Sequence, residues 1–142
     1  MFIDASAIVA VINQEPGWQE IVKRLSEMQD GCLVSPVVRF EAVLAVARAA
    51  AKAGGADVKP TPHILAIARE LVDELFKEFE AREIEVSRAI GDKALDAAMT
   101  YGKTIGHPAD LNFGDCFAYA CAKEYKTGLI YKGDDFARTD LA

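Results

Sequence analysis

Histidine and cysteine are scarce in this chain, and their scarcity removes several chemistries at once. Two histidines, His63 and His107, and three cysteines, Cys32, Cys116 and Cys121, are spread over 142 residues. There is no C-x-x-C pair, and neither histidine lies at metal-ligand spacing from a cysteine. A zinc site and a disulfide framework therefore have no basis. All three cysteines have apolar neighbours, which predicts small core residues. No apolar run approaches the roughly 18 residues of a membrane span. The opening Met-Phe-Ile-Asp has no basic start and turns polar too early for a signal peptide, so a cytoplasmic location is expected. Phosphate-cradling glycine loops are missing too: no G-x-G-x-x-G follows the first apolar run, and there is no G-x-x-x-x-G-K-[ST]. A G-x-S-x-G elbow is absent, and an Asp-x-Asp phosphotransferase pair fails at Ser6. Positive charge is in deficit, 16 basic against 22 acidic residues, for a net charge of −6. That argues against a protein that coats nucleic acid by charge alone. The argument weakens if several of the acids bind cations.

What remains is an ordinary globular composition, 51% hydrophobic and 27% charged, long enough for one domain, residues 1–142, with its own core. Phe2 and Ile3 read as a short buried strand, with the turn into a first helix at Asp4. Pro16 and Gly17 restart the chain as a second helix with Trp18, Ile21, Val22, Leu25 and Met28 on one face. A strand at 32–35 precedes an Ala-rich helix opened by Pro36 and stopped near Gly54. Residues 54–62 form the tip of a helical hairpin, about 36–79, inserted between strands. Its second arm carries Ile64, Ala68, Leu71, Leu75 and Phe79 at helical spacing. A strand at 82–86 follows, and Ser87 caps a helix whose inner face is Ile90, Ala94, Ala97 and Tyr101. After a loop at 106–111 come a helix at 113–126, a strand at 128–131 and a tail rich in Asp and Arg. Strands separated by helices predict an α/β domain with a short, mainly parallel sheet of four or five strands.

Four carboxylates stand at the joints of that pattern: Asp4, Glu41, Asp115 and Asp134. In parallel α/β folds, ligands gather at the carboxyl ends of the strands. Asp4 and Asp134 fall just after strands, and the helices bearing Glu41 and Asp115 begin at the same edge. Buried carboxylates lose their charge or find a partner. Four brought together would call for a divalent cation, so the pattern suggests an oxygen-ligand metal site and a metal-dependent hydrolase. Each acid taken alone also has a structural reading. Asp4 is a favoured N-cap. Asp115 is a first-turn acid behind an Asn112 cap. Asp134 is a turn residue beside Gly133, and Asp135 serves equally well there. Glu41 is hardest to explain as structure, because Val37, Val38, Phe40, Leu44 and Ala45 surround it. On its helix face Ala45, Arg48 and Lys52 follow, either a basic track for a polyanion or a solvated edge. Ser6 starts a helix or supports Asp4 or a bound water. Asp110 is a loop acid or a helper. Arg39, Lys132 and Arg138 lie close in sequence to the acids and join Arg48 as candidate phosphate contacts, or are plain surface charges.

With those positions in hand, the chain resembles a PIN-domain ribonuclease of the VapC toxin type. The resemblance spans nearly the whole length. It rests on Phe2-Ile-Asp-Ala-Ser-Ala-Ile8, Val38-Arg-Phe-Glu-Ala-Val-Leu44, Asn112-Phe-Gly-Asp-Cys-Phe-Ala-Tyr-Ala-Cys-Ala122 and Leu129-Ile-Tyr-Lys-Gly-Asp-Asp-Phe136. It implies a three-layer α/β/α PIN-like fold and an acidic quartet of Asp4, Glu41, Asp115 and Asp134 holding Mg²⁺ or Mn²⁺. Ser6 would match the family's small hydroxyl residue, with Asp135 sharing the fourth position. Cleavage of an RNA phosphodiester, a small cognate antitoxin covering the site and a homodimer are implied with it. The hairpin tip is somewhat long for the family, and the chain ends soon after Phe136, so a final strand is expected to be short or missing. A catalytically silent PIN module used for RNA binding or assembly, and a metal-dependent phosphatase or DNA nuclease on the same acids, are the alternatives.

Overall fold

A computed structural model describes all residues from Met1 to Ala142. Four two-residue strands, β1 (Phe2–Ile3), β2 (Leu33–Val34), β3 (Arg82–Glu83) and β4 (Leu129–Ile130), alternate with six α-helices. These are α1 (Ala5–Ile12), α2 (Trp18–Ser26), α3 (Pro36–Lys52), α4 (Pro62–Glu78), α5 (Arg88–Tyr101) and α6 (Phe113–Glu124), with a 3-10 turn at Lys103–Ile105. Every strand pairing is parallel, and the order across the sheet is β3-β2-β1-β4. Phe2 stands opposite both Leu33 and Leu129.

That order sets the functional edge. The chain steps outward from β1 to β2 to β3, then jumps back to place β4 on the other side of β1. The direction reverses between β1 and β4, and the crevice outside their carboxyl ends is where such sheets bind ligands. Both ladder residues of β1 and both of β4 are buried. Successive strand residues point to opposite faces, so helices cover the sheet on both sides. The fold is α/β with three layers.

Helix starts are written locally. Ser35, Thr61 and Ser87 accept hydrogen bonds from the backbone N–H of Val38, Ile64 and Ile90, and Pro36 and Pro62 open their helices. α3 packs on α4, α5 on α6, and α1 on both α2 and α3. One expected position differs: Ile64, Ala68, Leu75 and Phe79 face inward, but Leu71 is exposed and its neighbour Val72 is fully buried. Both choices satisfy a helical repeat; α4 packs on α3 and α1 with Val72 turned into the core. The strands are also shorter than the apolar runs around them. No fifth strand follows β4, where the chain turns instead through residues 132–141. Cys32, Cys116 and Cys121 are buried and unpaired, and burial pushes all three thiols up, Cys121 to about 11. No helix is long and apolar enough to cross a membrane.

Candidate active site

Asp4 ends β1 and caps α1. Its Oδ2 accepts the backbone N–H of Ser6 at 2.9 Å and the Ser6 hydroxyl at 2.5 Å. Asp115 sits in the first turn of α6 and forms a capping box with Asn112. Its Oδ2 accepts the Asn112 N–H at 2.9 Å, while Asn112 Oδ1 accepts the Asp115 N–H at 3.0 Å. In both acids one oxygen is held by the local turn, and the other receives no hydrogen bond from the chain. Capping therefore occupies only Oδ2 of each residue and is compatible with a ligand on Oδ1.

Glu41 arrives from α3. Its carboxylate lies against the α-carbon of Gly114, in the space a side chain at that position would need. Any residue but glycine before Asp115 would push the two helices' acids apart. No salt bridge reaches Asp4, Glu41 or Asp115; the five in the molecule are Arg39–Asp73, Lys77–Glu74, Arg88–Asp92, Lys93–Glu124 and Lys123–Asp140.

Electrostatics tie the three acids into one site. Burial is the main cause that raises Asp4, which is 3% exposed; the Ser6 hydrogen bonds oppose it and the charge of Asp135 adds to it. Burial first, and then the charges of Asp4 and Asp115, push Glu41 up to about 7. Asp115 rises to about 6 through burial, opposed by the Asn112 hydrogen bond and reinforced by Asp4, Asp135 and Asp110. Mutual repulsion of this kind needs proximity. The acids share a field without forming a closed coordination shell: no three carboxylate, histidine or cysteine side chains are grouped tightly enough to hold an ion as they stand.

The two acids after Gly133, undivided by the sequence, differ in their effect on the buried ones. Asp134 and Asp135 are both exposed, but it is Asp135 whose charge raises Asp4 and Asp115. Gly133, at φ +96°, opens this turn in the left-handed conformation that glycine permits. Ser6 holds this segment to the centre: its hydroxyl accepts the Lys132 N–H at 2.9 Å while donating to Asp4.

A cleft of about 740 Å³ opens beside the acids, with Glu41, Ser6, Arg48 and Lys132 on its wall. Asp4 and Asp115 are buried and are not part of that wall. Arg48 also borders a second groove with Lys52, so the line from Glu41 through Ala45 and Arg48 to Lys52 is continuous along α3. Arg39 is elsewhere. Its guanidinium makes a two-pronged pair with Asp73 of α4, at 2.8 and 2.9 Å, and lies outside the cleft. An arginine committed in this way to a carboxylate is not a free phosphate contact. Arg138 is exposed, directed at the Pro108 carbonyl, and also outside the cleft. His107 accepts the Ala109 N–H, and His63 is exposed in the first turn of α4. Sequence reasoning passed over Gly114 and Phe113. Their signal was present in the position of Gly114, one residue before a helix-capping acid, where glycine has no helical advantage.

Known proteins share this chain's sequence pattern and fold. The family model for the PIN domain matches residues 1–141. A VapC ribonuclease of Rhizobium meliloti (strain 1021) is 51% identical over 142 residues, covering 99% of this chain and 98% of the relative. The chain belongs to the PIN-domain family, among the VapC ribonucleases. The ribonuclease VapC42 of Mycobacterium tuberculosis is 30% identical over 141 residues, covering 99% of this PIN domain and 96% of its own length. Among solved structures, the Mycobacterium tuberculosis VapC20, a sarcin-ricin loop cleaving toxin, superposes with a TM-score of 0.66 at 14% identity, over 99% of this chain and 95% of that one. A toxin–antitoxin complex from Klebsiella pneumoniae gives 0.62 at 16% identity, over 99% and 92%. At such identities these two bear on the fold alone, and the fold they share is the one described.

Proposed function

We propose that this PIN domain is a metal-dependent endoribonuclease of the VapC toxin type, hydrolysing RNA phosphodiester bonds and neutralised by a cognate antitoxin. The observation that carries the reading is the set of three buried or half-buried acids, from β1, α3 and α6, all raised, Glu41 by the charges of Asp4 and Asp115 and Asp115 by that of Asp4, with no salt bridge to offset them. Such a set is costly unless a cation joins it. The donors are all carboxylate oxygens, which suits Mg²⁺ or Mn²⁺. Asp4, Asp115 and Glu41 would hold the ion, with Asp135 in preference to Asp134 as the fourth acid. When bound, a divalent ion supplies an activated water and neutralises charge developing on the scissile phosphate. The chain's own residues do the rest. Ser6 keeps Asp4 aimed by donating to Oδ2, Asn112 fixes Asp115, and Gly114 leaves room for Glu41. Arg48 and Lys132 place positive charge on the cleft wall for the RNA backbone.

The antitoxin would cover this cleft, with an Arg or Lys in the place of the cation. A homodimer fits the apolar surface that Ile67 and Leu71 leave exposed on α4. The chain would act in the cytoplasm. RNA cleavage assays in Mn²⁺, in EDTA and with Asp115→Asn test the reading. Cleavage should require Mn²⁺ and vanish in the variant; cleavage that persists in EDTA and survives the substitution would sink it.

A further inference from the structure

Seven phenylalanines occur in the chain. Phe2 and Phe136 are fully buried, and Phe76, Phe79 and Phe117 are partly buried against the core. Only Phe40 and Phe113 are exposed, at 65% and 70%, and both line the acidic cleft. A phenyl ring in water is unfavourable, and two rings at one cleft are two uncompensated exposures at the same place. Each belongs to an element that builds the centre: Phe40 precedes Glu41 on α3, and Phe113 opens α6 two residues before Asp115. Phe113 is backed by Phe117, with ring centroids 4.9 Å apart, which steadies it while leaving the ring exposed. The cleft wall also carries Arg48 and Lys132. Exposed aromatic rings beside a cationic track are the two components with which proteins hold single-stranded nucleic acid, bases on the rings and phosphates on the cations.

We propose that Phe40 and Phe113 are base-stacking platforms of the cleft, each ring taking a base of the bound RNA. The proposal rests on the ribonuclease reading and deepens it by assigning the two side chains that hold bases beside the acids. Glu15 and Glu41 share the wall with Arg48 and Lys132, but neither cation is committed to a salt bridge, and two free cations beside the rings favour an occupant that carries phosphates over a purely apolar one.

The test measures binding of a pool of randomised single-stranded oligoribonucleotides by fluorescence anisotropy, in an Asp115→Asn background that prevents cleavage. Both rings stand in solvent, so substitution leaves the fold intact, and an unchanged melting curve checks this. Phe40→Ala or Phe113→Ala should weaken binding about tenfold each. Phe40→Trp and Phe113→Trp should retain affinity, whereas leucine should not, since only an aromatic face stacks. A strand of abasic nucleotides should bind weakly to the parent and no more weakly to the alanine variants. Equal affinity of parent and alanine variants for the pool would overturn the proposal. So would leucine rescuing as well as tryptophan, or alanine variants that lose only self-association or antitoxin binding. Cleavage by the parent in Mn²⁺ is measured alongside. A parent that cleaves while its ring variants bind and cleave unchanged refutes stacking alone; a parent that cleaves no RNA refutes the ribonuclease reading.

Discussion

The carboxylate of Glu41 occupies the space beside the Gly114 α-carbon that any larger residue would fill. This contact joins α3 to the first turn of α6 and brings Glu41 within the field of Asp115. Gly114→Ala should therefore displace Glu41 while leaving the rest of the helix sound, since alanine is the better helix former by up to about 1 kcal/mol. The expected outcome is a loss of cleavage of roughly 100-fold, the scale of a misplaced catalytic group, with far less change in the urea midpoint. Steady-state kinetics and urea denaturation on the same preparation check it. A variant that cleaves like the parent would show that the Glu41 position is not needed.

Ser6 ties two distant segments together, donating to Asp4 and accepting from the Lys132 N–H. Ser6→Ala leaves that half-buried N–H without its acceptor and removes a donor that opposes the rise of Asp4. A cost of about 1–3 kcal/mol follows for the unpaired group. Urea denaturation should show it, together with reduced activity, because residues 132–135 lose their anchor to the centre.

The two acids after Gly133 differ in their effect on the buried acids. Asp135→Asn should depress cleavage far more than Asp134→Asn, because only Asp135 acts on Asp4 and Asp115. Expression toxicity of the two variants, side by side, reads the difference directly. Equal effects would mean that the turn rearranges when substrate binds.

Arg39 and Arg48 separate in the same manner. Arg39→Ala breaks the pair with Asp73 and should cost about 1 kcal/mol or less, as half-exposed ion pairs do, with RNA affinity intact. Arg48→Ala and Lys132→Ala should leave stability unchanged, weaken RNA binding and flatten its salt dependence. Salt titrations of binding decide between the two behaviours.

Legibility in the sequence followed the range of the interaction. Asp4 and Asp115 were readable because a cap and an apolar flank are both local, and Glu41 because its apolar neighbours left it no structural role. The parallel α/β class followed from strands alternating with helices, and the residue segments carried the family. Asp134 could not be told from Asp135, since adjacent residues in a turn are distinguished only by the tertiary placement of that turn. The Arg39–Asp73 pair joins residues far apart in the chain and leaves no local trace. Val72 took the place of Leu71 because packing against α3 and α1, a tertiary fact, chose between two positions that the helical repeat allows. Gly114 was in view but mute: its reason is a side chain from another helix.

The raised acids give the site a pH signature whose sign is opposite to that of a salt-bridged carboxylate. Glu41 at about 7 and Asp115 at about 6 in the folded chain stand above their ordinary values of 4.5 and 3.8. Between those limits the folded state binds more protons than the unfolded one, so stability falls as pH rises through the window. In EDTA the melting temperature should therefore be higher near about pH 5 than near about pH 7.5. Mn²⁺ binds the charged forms and should raise the melting temperature most at the upper end, where protons no longer offset the repulsion. Glu41→Gln removes one of the repelling charges. It should raise the metal-free melting temperature at the upper pH and flatten the profile, while abolishing cleavage and reducing the gain from Mn²⁺. Thermal melts of parent and variant at both pH values, with and without Mn²⁺, make the check. A parent whose metal-free stability rises with pH across that window would contradict the arrangement of acids, because unpaired carboxylates held this close have no other direction in which to act.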